Sequence, residues 1–136
     1  MNTITIHDKA ADRPVLGFDL KEILKAIGQP ALDAFWTALP VEEAGDELWA
    51  TGDPSAVAMV DELARTGERI GGGRLLEVAS GIHQTIWGEF QGFESLEATS
   101  PWIRIVAFDS TWFEVHTAHE AVLERVRGRF KDVRVR

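Results

Sequence analysis

The sequence predicts an α+β fold: a mostly antiparallel sheet of four to six strands, with helices packed mainly on one face. Three observations carry this. Residues 83–117 alternate their side chains in runs broken by turn residues, which is the period-2 signature of strands. Upstream, apolar residues recur every three or four positions between helix start and stop signals. From Pro101 to Phe130 a strand, a turn, a second strand and a capped helix follow one another directly. All 136 residues read as one domain, large enough to bury about two thirds of its unfolded surface without a staple.

Residues 1–6 suit a short edge strand, and 7–14 a polar loop ending in proline. Asp19 and Glu22 make a capping-box-like start for Leu20, Ile23, Leu24 and Ile27, with Gly28 as the stop. Pro30 suits a first helical turn, and Leu32, Phe35, Trp36 and Leu39 keep helical spacing until Pro40, so the pair reads as a helical hairpin. Residues 46–51 suit a strand with Leu48 and Ala50 on one side and Trp49 on the other. Asp53 and Pro54 start a helix through Val57, Val60 and Leu63 to Gly67. Gly71–Gly73 reads as a flexible connection, and 74–82 as a helix, with a strand as the alternative.

In 84–93, Ile86 and Phe90 are expected to face the core, with Trp87, Glu89 and Phe93 opposite. Residues 101–109 are apolar on both faces, as a central strand would be: Trp102, Arg104, Val106 and Phe108 against Ile103, Ile105 and Ala107. Asp109–Thr111 is a turn. Beyond it, Phe113 and Val115 point inward, and Trp112, Glu114 and His116 outward. Thr117-Ala118-His119-Glu120 reads as a capping box for an amphipathic helix on Val122, Leu123, Val126 and Phe130, and Val133 and Val135 suit a last short strand.

Composition narrows the function. With no cysteine, a disulfide framework, a thiolate zinc site and a cysteine nucleophile are excluded. No signal-peptide pattern or membrane-length apolar run is present, so a soluble cytoplasmic protein is expected, with no membrane partner. The net charge of −8 disfavours nucleic acid, because phosphate binding needs lysine and arginine. The charge is uneven: residues 123–136 hold six cations against Glu124 and Asp132, a balance of +4 that leaves −12 on the remainder. That basic end reads as a solvated helix terminus or as a contact for an acidic partner.

The expected outward face brings tryptophan beside charge. Burying one tryptophan removes roughly 150–250 Å² from water, an upper bound of about 4–6 kcal/mol, so something should cover Trp87 and Trp112. The candidates are the chain's own helices, a partner or a ligand. Interfaces favour aromatic anchors with arginine, which selects Trp87, Trp102, Arg104 and Trp112, rimmed by Glu89, Phe93, Glu114 and His116. The leading expectation is a protein-interaction or homo-oligomerising module, such as a small inhibitor or immunity-type protein or a homodimer. The alternative is a small-molecule-binding domain or small enzyme using Glu89, Glu114 and His116 in a pocket between sheet and helices.

Other constellations are weaker. His116, His119 and Glu120 could ligate a metal only if a strand end and a helix start converge, and Glu120 already has a capping role. Asp109-Ser110 with His83 lacks a nucleophile elbow. The triple glycine lacks the lysine and hydroxyl of a phosphate loop. No cofactor, metal or catalytic set is expected. Trp36 and Trp49 are expected in the core.

Overall fold

The computed structural model describes residues 2–13 and 15–136 and has the expected α+β class. Met1 and Pro14, at the ends of the expected first strand and loop, lie outside the described residues. Among the described residues the sheet is antiparallel with eight strands, more than the four to six expected. They are β1 (Asn2–Ile6), β2 (Phe35–Leu39), β3 (Trp49–Gly52), β4 (Ile70–Gly71), β5 (Ile82–Phe93), β6 (Ile103–Phe108), β7 (Trp112–Thr117) and β8 (Val133–Val135). Their order is β4-β2-β5-β6-β7-β1-β8, and β3 pairs with the first half of β5 while β2 pairs with its second half. The helices are α1 (Leu20–Ile27), α2 (Gln29–Asp33), α3 (Pro54–Thr66), α4 (Gly72–Ser80) and α5 (Glu120–Arg129).

The two unexpected strands are β2 and β4. The second half of the expected helical hairpin is β2: the helix stops at Asp33, and Trp36 and Ala38 point inward from a strand. Phe-Trp-Thr favours the pleated state, and the sheet rewards it. Gly92 on β5 faces Trp36, and a Cβ there would lie 3.1 Å from the indole and 2.7 Å from Ile103, so the missing side chain makes room for the ring. The fully buried indole N–H donates to the Ala31 carbonyl at 2.9 Å. Leu32, counted toward the helical face, stands exposed.

The glycine run is not a flexible connection. Gly71 ends β4 and Gly72 opens α4, where a Cβ would fall 1.9 Å from the Ala31 carbonyl oxygen. Only glycine lets α4 approach α2 so closely. Residues 74–82 divide accordingly, helical to Ser80 and strand from Ile82.

All five helices lie on one face and share one core with the inward residues of the sheet. Ile23, Ile27, Leu63, Leu75 and Leu123 meet Ile4, Ile6, Phe90, Ile105 and Phe113 there, all essentially inaccessible. The helix α1 starts as expected: Glu22 accepts from the Asp19 N–H at 3.0 Å. The Asp19 carboxylate turns to the sheet instead, accepting from the Thr85 N–H (2.8 Å) and hydroxyl (2.7 Å). Burial holds the Asp19 carboxyl above its ordinary pKa, against the pull of those two bonds.

Three local expectations change. The first strand is not an edge: β8 pairs beyond it, and Ile4 and Ile6 are fully buried. Thr117 is not a helix cap but the buried last residue of β7, its hydroxyl donating to the Trp102 carbonyl at 2.8 Å; α5 begins after His119. Ile86 does not reach the core, because β5 bulges: Trp87 opposes Trp49 while Thr85 opposes Ala50, so Ile86 is skipped and Thr85 turns inward.

Candidate binding face

The face opposite the helices is built by parity. On β5, β6 and β7 the inward residues are Phe90, Ile105 and Val115, so their neighbours stand outward in register. Antiparallel pairing then lines the outward side chains into rows across the strands.

The first row is aromatic. Trp49 opposes Trp87, Trp87 opposes Phe108, and Phe108 opposes Trp112. Phe108 and Trp112 stack at 5.3 Å between centroids, and Trp87 meets Phe108 edge-on at 5.9 Å. His7, just beyond β1, stacks on Trp112 at 5.9 Å and continues the row. Burial holds the His7 pKa below its ordinary value, with Arg134 acting in the same direction. The tight turn after Phe108 places Trp112 beside it: Asp109 and Ser110 both adopt positive φ (48° and 59°), and the Thr111 N–H donates to the Phe108 carbonyl at 2.8 Å.

The next two rows are polar. One runs Leu39, Glu89, Val106, Glu114 and Thr5; the other runs Thr37, Gln91, Arg104, His116 and Thr3. Arg104 grips Glu89 through two hydrogen bonds of 3.0 Å, and Gln91 donates a third at 2.6 Å. Burial works to raise the Glu89 carboxyl, but these donors outweigh it and its pKa lies below the ordinary value. Glu114 is buried, and its carboxylate is shared by the Trp112 indole N–H (3.2 Å), His116 Nε2 (2.9 Å) and Arg136. His116 Nδ1 lies 2.8 Å from the Thr3 hydroxyl. That pattern fits a neutral ring that donates through Nε2 and accepts at Nδ1. Burial, helped by Arg104, lowers the His116 pKa, and Glu114 opposes the shift.

Six of the eight residues singled out from the sequence stand together here: Trp87, Glu89, Arg104, Trp112, Glu114 and His116. Glu89, Glu114 and His116 therefore stand on the side turned away from the helices, outside any sheet–helix pocket. Phe93 shares the face at its far end, buried beneath the Arg69 guanidinium, which lies 3.5 Å from the ring centre. Trp102 stands apart. It precedes β6, packs against the helix-side core and meets His119 edge-on at 4.9 Å. With Pro30, Ala34 and Val122 it lines a separate cleft of about 330 Å³.

Sequence reasoning missed three members of the row: Trp49, Phe108 and His7. Trp49, expected in the core, is 54% exposed. Its position opposite Leu48 and Ala50 was the available signal. Phe108 shares a strand face with Trp102, Arg104 and Val106 in a segment expected to be covered on both sides, and His7 falls in an expected loop.

His116, His119 and Glu120 diverge: His116 binds Glu114 and Thr3, His119 abuts Trp102, and Glu120 accepts from Asn2. Among the described residues no group of three His, Asp or Glu side chains could hold a metal ion. The basic C-terminal stretch is engaged locally, with Arg127 on Glu124, Arg134 on Asp132 and Arg125 on the Ile27 carbonyl. Among the described residues no helix is long and apolar enough to cross a membrane. No family model, curated protein or solved structure matches this chain.

Proposed function

We propose that the protein is a protein-binding module whose contact surface is the helix-free face of the sheet. The observation that carries this reading is the aromatic row from Trp49 to His7, laid across a face that carries none of the five α-helices, where Val106 and Glu114 are buried but Trp49 stands exposed. Such a row supplies large, rigid contact area at low conformational cost, the currency of interface hot spots. A second copy of the chain is one candidate partner, as a self-complementary sheet face would dimerise.

A small-molecule site is the second reading. A basin of about 450 Å³ lies between Phe108, Trp112, Glu114, His116, Glu43 and Arg136. It ranks lower because Glu114 and His116 already satisfy each other and their neighbours, leaving few free lone pairs for a ligand.

The test compares wild type with Trp49→Ser and with Trp87→Ser/Trp112→Ser, each checked by circular dichroism for a native fold. Trp49→Ser, at the most exposed position, guards against a variant that merely unfolds. Binding partners retained from the source cell, and the mass in solution across concentration, should both be lost or altered in folded variants. Identical partners and identical mass in all three proteins would sink the reading.

A further inference from the structure

Two features of the open face, built by different segments, attract the same chemistry. The first is the exposed indole of Trp49, at the end of a row whose other members, His7, Trp87, Phe108 and Trp112, are half-buried against one another. Aromatic faces attract ammonium and guanidinium groups, tryptophan most strongly. The second is the turn between β2 and β3. Buried Val41 anchors it, exchanging backbone bonds with Asp46 and Glu47, while Glu42, Glu43, Asp46 and Glu47 all stand exposed. Among the described residues none of these four carboxylates forms an ion pair. Glu43 lines the basin beside Phe108 and Trp112, which places the turn over the row.

Three arginines of this face are paired with carboxylates, Arg104 with Glu89, Arg134 with Asp132 and Arg136 with Glu114, and Arg69, over Phe93 at the far end, donates to the Ser95 and Leu96 carbonyls. Lys9 lies at the opposite end of the row, near His7. Unpaired negative charge on the turn thus extends from Asp46 and Glu47, just ahead of Trp49 in the chain, to Glu43 in the basin beside Phe108 and Trp112. The row itself crosses four interstrand spacings of about 4.8 Å each, roughly 19 Å, a span that a protein surface can cover.

We infer that the partner is a protein with a lysine- or arginine-rich surface, seated with its cations over Trp49 and among the carboxylates of the β2–β3 turn. This rests on the reading of the open face as a contact surface. Long-range attraction would speed encounter, and the aromatic row would hold the complex afterwards.

A selection of random linear peptides displayed on phage, with the folded chain as bait, tests both levels separately. The peptides that emerge should carry net positive charge. Their affinity should fall about tenfold for the variant Glu42→Gln/Glu43→Gln/Asp46→Asn/Glu47→Gln, and comparably between about 50 and 300 mM salt. Asparagine tolerates the positive φ of Asp46 (61°), so this variant keeps the turn. Neutral or acidic peptides that need Trp49 and Trp112 but ignore the four substitutions would overturn the inference and leave the contact face standing. Peptides indifferent to Trp49→Ser and Trp112→Ser, or no enrichment at all, would overturn both.

Discussion

His116 shows how a single residue ties the polar rows to pH. Burial and Arg104 hold its folded pKa below the ordinary 6.5, so the native state prefers the neutral ring. A group of this kind contributes stability above its unfolded pKa and loses it as pH falls through the folded value. Stability should therefore decline as pH drops from 7 through 6.5 and below. Glu89, also shifted down, adds a loss at lower pH, in the carboxylate range. Urea unfolding of wild type and His116→Gln across pH isolates the histidine contribution, and a difference that stays flat between pH 7 and 5 would refute it. Alternation in the sequence assembles Glu89, Glu114 and His116 on one face. It does not say which donor each acceptor takes, because that depends on cross-strand register.

Helix α4 approaches α2 closely, and that approach hangs on Gly72. Gly72→Ala would drive a methyl group into the Ala31 carbonyl, and should cost at least the 1–3 kcal/mol typical of overpacking, read as a lower urea midpoint. Gly73, one residue on, is exposed with open space around its Cα, so Gly73→Ala should gain about 0.5–1 kcal/mol from helix propensity. Equal effects at both sites would show that propensity, not the close approach, governs this junction. These elements also mark what was legible. Helices α1 and α3 announce themselves through Asp19, Gly28, Asp53 and Gly67, since caps are local chemistry. The strand β2 does not. The spacing of Leu32, Phe35, Trp36 and Leu39 fits a helix, and only Gly92, more than fifty residues away, decides for the strand by making room for Trp36. The bulge that skips Ile86 is hidden for the same reason: it lies in the pairing with β3, not in β5 itself.

For the molecule as a whole, segregation of all five helices to one side was readable from the pattern of capped amphipathic segments followed by strands. The sheet's extent was not, since β4 is only two residues long and β2 resembled a helix. The same segregation has an optical consequence. The chain has no tyrosine, so its near-ultraviolet emission comes from five tryptophans, three of which, Trp49, Trp87 and Trp112, stand on the open face. Trp36 is sealed in the core and should be deaf to acrylamide. A partner settling on the sheet should therefore shift the emission to shorter wavelength and blunt its quenching, with no dye attached. A complex that leaves the spectrum untouched has formed somewhere else.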